Sequence, residues 1–258
     1  MSAAQRFGFR SGDRGTHGSR SILLADLRQL LAATAADAAY EDYRRAIMED
    51  NVLGKGTAST RLNSWKKLRE LYGLDPRLAV FRCFRELWDV DAVGRPLLAV
   101  LCACARDPLL RLSAMVVLGA PVGTVLCPQD FVAAIHAMAP QRFSVLSLKA
   151  IGNRTCSSWT QSGHLAGDKV RIRTHPVASP EAVVYALLLG RLTGARGPGL
   201  FNSFWTAVVD APSDSLLALA TTAAQRGWID LRRAGAVVDV SFPRLLTAGE
   251  MGALRESD

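Results

Sequence analysis

Apolar side chains recur every three to four residues along most of this chain, and strictly alternating stretches are few and short. In the middle of the chain, Leu148, Ile151 and Trp159 fall within one sector of a helix with about 3.6 residues per turn. Alternation is confined to two later stretches, near residues 169–173 and 228–242. The pattern predicts a mostly α protein, a helical bundle with one or two winged-helix units, each a helix followed by a β-hairpin.

The segment from Ser144 to Pro176 combines one such helix with a basic strand. The polar side of the helix carries Lys149 and Asn153, is flanked by Arg154, and holds no acidic residue. Gly163 is placed to end the helix in a left-handed cap. A carboxylate-free helix face is typical of a nucleic-acid contact, although any solvated amphipathic helix gives a polar face and winged helices also dock proteins.

Lys169, Arg171 and Arg173 alternate with Val170 and Ile172 after that helix. Successive side chains of a strand point to opposite faces of the sheet. We therefore expect a half-buried strand in which the two apolar residues face the core. The three cations would then form a basic wing beside the helix.

A second stretch repeats this outline near the end of the chain. Residues 225–229 (QRGWI) correspond to residues 161–165 (QSGHL), each closing a helix and opening a strand. A turn is predicted at residues 233–235, between two short strands. Arg232 and Arg233 would lie at the hairpin tip, from which a wing reaches a minor groove or the phosphates.

Another basic helix is predicted over residues 59–72. Ser59 or Thr60 would cap its N-terminus, and Gly73 with Pro76 would end it. The apolar side consists of Leu62, Trp65, Leu68 and Tyr72. The polar side carries Asn63, Lys66 and Lys67 and is flanked by Arg61 and Arg69. A solvated helix face explains this pattern at least as well as a nucleic-acid contact does.

These patterns divide the chain into four parts. Residues 1–20 lack periodicity and are interpreted as a flexible basic arm, whose arginines could follow a phosphate backbone. Residues 21–140 form a helical domain and residues 141–176 the first winged-helix-like unit. Residues 177–258 form a helical segment that ends in the second winged-helix-like unit.

The charge balance favours a polyanionic partner. The chain has 31 Lys and Arg against 23 Asp and Glu, a net charge of +8, and arginine suits phosphate recognition. Five cysteines without zinc-ligand spacing are expected to be buried, reduced thiols of a cytoplasmic protein. The longest apolar runs are too short or too rich in Gly and Pro to span a membrane, and are interpreted as buried helices.

The usual signatures of catalysis are missing from the sequence. It contains no GxSxG nucleophile turn, no HExxH helix, no Walker A loop and no GxGxxG after a strand. His136 lies among alanines without a partner at a useful spacing, so we interpret it as a packed or surface histidine. We therefore expect no enzyme activity, no metal and no cofactor.

Three segments, at residues 9–27, 51–74 and 147–165, occur in this order with a helical stretch between the last two. Together they resemble the BrxA family of the bacteriophage exclusion (BREX) defence systems. The closest local match is the helix around Thr60, Arg61 and Leu68, followed by the segment from Leu148 to Leu165. The resemblance covers roughly residues 7–175 and consists of spacing and residue class.

The sequence departs from the family in two places. Where the family often has an acidic residue followed by Gly-Leu at the winged-helix turn, this chain has residues 162–165 (SGHL). The stretch after Pro176 is also longer than the family suggests. The role of that stretch is therefore the least supported by the resemblance.

The resemblance implies a small, non-enzymatic DNA-binding protein that acts beside a methyltransferase, an ATPase and other phage-defence proteins. Our leading hypothesis is a cytoplasmic accessory protein that binds duplex DNA mainly through phosphates. A docking module for other defence subunits and an RNA-binding helical protein are the alternatives, and the oligomeric state, with a homodimer as one option, stays open. The candidate nucleic-acid contacts are Lys149, Asn153, Arg154, Lys169, Arg171, Arg173, Arg61, Lys66, Lys67, Arg232 and Arg233.

Overall fold

The computed structural model describes residues 3–12, 15–235 and 237–255, and most of them are helical. The elements up to residue 106 are α1 (Ala3–Arg6), a 3-10 turn (Thr16–Gly18), α2 (Leu24–Ala33), α3 (Tyr40–Met48), α4 (Ala58–Tyr72), α5 (Ala79–Val90) and α6 (Arg95–Arg106). The later elements are α7 (Pro108–Leu118), β1 (Val125–Leu126), α8 (Pro128–Met138), α9 (Val145–Gln161), β2 (Leu165–Ala166), β3 (Arg171–Arg173), α10 (Pro180–Leu192), a second 3-10 turn (Gly197–Leu200), α11 (Phe204–Val209), α12 (Ser213–Gln225), β4 (Asp230–Ala234), β5 (Val237–Ser241) and α13 (Ala248–Arg255). The predicted mostly α fold with small β-hairpins is confirmed.

Two apolar helices, α6 and α10, form the centre of the core. Residues 97–106 of α6 and 181–190 of α10 are all buried. A helix that is apolar on every side has to be enclosed by its neighbours. Among the described helices, none combines the length and the apolar character needed to cross a bilayer.

Helix α4 agrees closely with the helix predicted over residues 59–72. Gly73 follows its last residue with a φ of 89°, as a left-handed helix stop requires. The N-terminal cap is Thr57, not Ser59 or Thr60. The side chain of Thr57 accepts a hydrogen bond from the backbone N–H of Thr60 at 3.2 Å.

Residues 108–173 have the element order of a winged helix. Two helices, α8 and α9, follow α7 and β1, and a β2–β3 hairpin follows α9. The antiparallel sheet has the order β1-β3-β2, with Val125 opposite Ile172 and Leu165 opposite Arg173. The unit therefore begins with α7, well before residue 141.

The C-terminal elements repeat this order with one replacement. Helices α10, α11 and α12 are followed by the β4–β5 hairpin, and the 3-10 turn at residues 197–200 packs against β5, where the first unit has β1. Both units end their third helix alike: His164 N–H donates to Trp159 C=O at 3.1 Å, and Trp228 N–H donates to Ala223 C=O at 3.0 Å. These are the hydrogen bonds of a glycine-dependent helix stop.

Part of the described N-terminal segment is packed, so the prediction of a flexible arm over residues 1–20 is wrong at its buried positions, whereas Arg6 and Arg20 are exposed. Phe7 and Phe9 belong to the hydrophobic core, and His17 is fully buried. Phe7 C=O accepts a hydrogen bond from Val80 N–H at 3.0 Å. Two isolated aromatic residues create no periodic pattern, which is why the sequence did not indicate this packing.

The cysteines agree with the expectation of buried thiols except at one position. Cys83, Cys102, Cys104 and Cys156 are buried, whereas Cys127 is exposed. Cys127 is the residue between β1 and α8, at the edge of the small sheet. His136 lies on the exposed side of α8, as one of its two interpretations expected.

Candidate nucleic-acid interface

The third helix of the winged-helix unit, α9, presents a carboxylate-free surface to solvent. Val145, Leu146, Lys149 and Asn153 are exposed, and at about 100° per residue they fall within one sector of the helix roughly 100° wide. We call these four residues the α9 solvent face. The amide nitrogen of Asn153 donates to the C=O of Lys149 at 2.9 Å. The structure thus brings two of the predicted contact residues together on one exposed surface.

An adjacent side of α9 is covered by the N-terminal segment. Ser158 Oγ lies 2.7 Å from His17 Nε2 and accepts a hydrogen bond from Ile22 N–H at 3.0 Å. Arg154 donates to the C=O of Gly18. Burial, together with the nearby charge of Arg20, lowers the pKa of Arg154. Arg154, a predicted nucleic-acid contact, is therefore half-buried and already engaged with the protein.

The wing has the opposite orientation to the predicted one. Val170 and Ile172 are 58% and 42% exposed, whereas Arg173 is 2% exposed. Lys169 alone among the three wing cations is exposed, in the turn between β2 and β3. Arg171 is half-buried, and its Nε atom is enclosed without a hydrogen-bond partner in the described part of the chain.

Arg173 is a structural residue, so its prediction as a nucleic-acid contact is wrong. Its Nε donates to Val117 C=O at 2.7 Å, and its guanidinium forms an ion pair with Asp210 at 2.7 Å. Asp210 follows α11, so this pair links the winged-helix unit to the C-terminal unit. An alternating strand has two faces, and the alternation does not show which of them is buried. Here the face that carries Arg173 is buried, because the Asp210 carboxylate and backbone carbonyls bind the guanidinium.

Arg171 turns towards a buried thiol. Burial raises the pKa of Cys156, and the guanidinium of Arg171 partly offsets this rise. The cation therefore lies near the interior of the winged-helix unit, at the level of α9. Arg171 is less available to a partner than the alternating pattern predicts.

The three basic residues predicted on α4 have different environments. Lys66 is exposed, and Arg61 is half-buried with an enclosed Nε atom. Lys67 forms an ion pair with Glu70 at 2.8 Å, one turn further along α4. Lys66 and Lys67 agree with the solvated-face interpretation as well as with a binding role.

A cleft of about 620 Å³ lies between α4 and the loop that precedes α9. Its walls include Arg10, Lys67, Glu70, Arg142 and Phe143. The guanidinium of Arg142 lies 4.6 Å from the ring centroid of Phe143. We call this cavity the basic cleft, because it places three cations around one carboxylate.

Glu70 is ionised at neutral pH in this cleft. Burial alone would raise the pKa of Glu70, but hydrogen bonds from Lys67 and Thr16 and the charge of Arg10 lower it overall. The sequence pattern indicates Arg10 only as part of a flexible arm and does not indicate Arg142. Arg142 lies three residues before Val145, outside the helical pattern that predicts α9, so no periodic signal points to it.

The second hairpin keeps its two predicted contact residues exposed. Arg232 and Arg233 lie on β4, directly opposite Asp239 and Val238 of β5, and not at the predicted hairpin tip, because the ladder continues to Ala234. Opposite residues of a ladder share a face, so the Asp239 carboxylate lies on the same face of the hairpin as Arg232. The structure places this pair on a separate hairpin from Lys149, Asn153 and Lys169.

Ser158, His17 and Asp107 are arranged like a hydrolytic triad but are enclosed. His17 Nδ1 lies 2.8 Å from Asp107 Oδ2, and His17 Nε2 lies 2.7 Å from Ser158 Oγ. These distances suit nucleophile activation, yet all three side chains are buried and other groups use them. Asp107 accepts hydrogen bonds from Leu109 and Leu110 N–H at the start of α7. The cluster therefore connects three parts of the chain and does not open to a substrate.

No group of three or more metal-ligating side chains converges within residues 3–12, 15–235 and 237–255.

The sequence matches no model of a known protein family and no curated protein. The fold and the exposed residues therefore define the class, a mostly α protein with a winged-helix unit and a basic cleft.

Proposed function

We propose that this protein is a non-enzymatic, duplex-DNA-binding protein that inserts the N-terminal half of α9 into the major groove. The observation that supports this most is the α9 solvent face, which is exposed, carries Lys149 and Asn153, and belongs to a helix without carboxylates. In helix-turn-helix proteins, the N-terminal residues of the recognition helix contact base edges. Phosphate contacts would supply most of the affinity.

The phosphate contacts are assigned to cations around α9. Lys169 lies in the turn of the wing, and Arg10 and Arg142 line the basic cleft beside the start of α9. Cations on either side of a recognition helix position the protein on the duplex without reading its sequence. Arg173 is excluded from this role because it is buried.

We infer the cellular role from the sequence resemblance to the BrxA family. The protein would act in the cytoplasm as an accessory subunit of a phage-defence system, beside a methyltransferase and an ATPase. Its small fold and the enclosed state of the His17, Asp107 and Ser158 cluster support a binding role over a catalytic one.

DNA binding is tested by removing two exposed cations that lie near the proposed groove. Lys149→Ala/Lys169→Ala is expected to weaken binding of a 20-base-pair duplex about tenfold, in a fluorescence anisotropy titration at low salt. The slope of log K against log salt should become shallower by about 0.9 for each phosphate that the variant no longer neutralises. A matched control, Arg28→Ala/Arg44→Ala, removes two exposed cations from α2 and α3 instead.

Equal affinity losses in the two double variants would mean that net charge alone governs binding, and the assignment to α9 would fail. No duplex binding by the unmodified protein at low salt would contradict DNA binding altogether. Preferential binding of structured RNA in direct competition would favour the RNA-binding alternative.

One observation favours protein docking as a second function. Val125, Val170 and Ile172 are between 42% and 58% exposed, and Val125 lies opposite Ile172 in the sheet. Several exposed apolar side chains on a small sheet and its adjoining turn mark an interaction surface more often than single ones do. Val125→Ser/Ile172→Ser would then abolish co-purification with the co-expressed products of neighbouring defence genes and leave DNA affinity unchanged.

A further inference from the structure

Two of the most exposed apolar side chains in the described part of the chain lie on the first turn of α9. Val145 is 82% exposed and Leu146 is 81% exposed. They share the α9 solvent face with Lys149 and Asn153, and the helix cap places Ser144 and Ser147 beside them. Large apolar side chains cost free energy when they remain in water, so this pair needs an explanation.

The surroundings of the pair are polar and positively charged. Lys149 lies on the same sector of α9, and Arg142 lies three residues before the pair. A helix without carboxylates next to a basic cleft is complementary to a polyanion. A second copy of this chain is a less suitable partner, because each copy carries a net charge of +8 and the two would repel each other.

The major groove of DNA offers a matching apolar group. Thymine presents a C5-methyl group there, beside the N7 and N6 atoms of its paired adenine. Apolar side chains contact this methyl group, and asparagine binds adenine through both atoms. On α9, Asn153 lies about 20° from Leu146 around the helix axis and about 10.5 Å further along it, so the two side chains face the same groove but reach different base pairs.

We propose that Val145 and Leu146 contact pyrimidine C5-methyl groups in the major groove, so that the protein prefers duplexes that carry them. This inference rests on the proposed DNA-binding function and adds the chemical group of the DNA bases that the protein recognises. Thymine and 5-methylcytosine share the C5-methyl group, and the test distinguishes them.

The test removes the methyl group from DNA and the apolar side chains from the protein. Four 20-base-pair duplexes are compared: alternating A·T, the same duplex with deoxyuridine for thymidine, alternating G·C, and G·C with 5-methylcytosine. The unmodified protein should bind the thymine duplex about fourfold more tightly than the uracil duplex for each methyl group buried. If the methyl group alone matters, 5-methylcytosine should strengthen G·C binding by a similar factor, whereas a gain for thymine only would mean that adenine contacts are needed too.

Val145→Ser/Leu146→Ser should bind the thymine and uracil duplexes equally. Because both positions are exposed, the variant is expected to fold normally, and circular dichroism checks this. The matched control, Val90→Ser/Val93→Ser, replaces two exposed apolar residues outside the winged-helix unit and should keep the methyl preference.

The inference is overturned if the unmodified protein binds thymine and uracil duplexes equally. If Lys149→Ala/Lys169→Ala still weakens binding in that case, DNA binding stands and only the methyl contact fails. If the protein is a dimer that dissociates in Val145→Ser/Leu146→Ser, a second copy covers this face instead. If no duplex binds at all, both the inference and the proposed function fail.

Discussion

His17 Nδ1 lies 2.8 Å from Asp107 Oδ2, and the two side chains are 0% and 1% exposed although the residues are 90 positions apart. The backbone N–H of His17 donates to the same carboxylate oxygen at 3.0 Å. Ser158 of α9 binds the other side of the imidazole. One buried cluster therefore joins the N-terminal segment, the start of α7 and the proposed recognition helix.

His17→Ala should lower the free energy of unfolding by about 3 kcal/mol. The substitution removes the imidazole that binds Asp107 and Ser158 and leaves their buried polar atoms with fewer hydrogen-bond partners, which is costly in the protein interior. Urea denaturation of purified protein measures the change. His136→Ala is the matched control, because His136 is exposed on α8 and should cost less than about 0.5 kcal/mol. Similar midpoints for the two variants would show that the cluster contributes little.

The sequence predicts features that depend on neighbouring residues, but it does not predict contacts between distant parts of the chain such as this cluster. The sequence predicts helix α4 to within one residue, since Trp65, Leu68 and Tyr72 repeat at helical spacing and Gly73 ends the helix. Such signals are local. The packing of His17 depends on Asp107 and on α9, far away along the chain, so no local pattern contains it.

The wing shows a different limit of sequence reasoning. Alternation identifies β3 correctly as a strand, but it gives the same period whichever face is buried. Arg173 is inside because Asp210 and the C=O of Val117 bind it there. The exposed positions of Lys149 and Asn153 could be predicted, because the apolar residues of α9 mark its buried side and the remaining positions must face solvent.

His164 should make stability depend on pH between about 4 and 6.5. Burial lowers the pKa of His164 from 6.5 to about 4, although a hydrogen bond with Val208 C=O acts in the opposite direction. The unfolded chain therefore binds a proton at His164 over this range and the folded protein does not. Stability is complete above pH 6.5 and decreases as the pH falls towards 4, by roughly 3 kcal/mol in total.

His164→Gln removes this titration and should flatten the slope of unfolding free energy between pH 7 and 4.5. Urea midpoints at several pH values measure the slope, and His136→Gln should retain the original one. Titration of Asp107 does not contribute to the slope in this pH range. Burial alone would raise the pKa of Asp107, but the charge and hydrogen bonds of His17 keep it below 3.8, so its contribution is lost only at lower pH. An unchanged slope in His164→Gln would contradict the assignment.

Glu70→Gln should strengthen duplex binding if the basic cleft contacts phosphates. The pKa of Glu70 is lowered, so at neutral pH the substitution removes a negative charge from beside Arg10 and Lys67. The glutamine oxygen can still accept the hydrogen bond from Thr16, which keeps the local structure.

The gain from Glu70→Gln should be about two- to fivefold at roughly 50 mM salt and should shrink at about 300 mM, because salt screens the charge. Fluorescence anisotropy at both salt concentrations measures it. Glu49→Gln removes an exposed carboxylate after α3 and should change affinity less. Equal gains in affinity for Glu70→Gln and Glu49→Gln would mean that the net charge of the protein, and not the basic cleft, determines the change. Weaker binding by Glu70→Gln would mean that the Lys67–Glu70 pair orders the cleft for its ligand, and that phosphate recognition there needs the carboxylate.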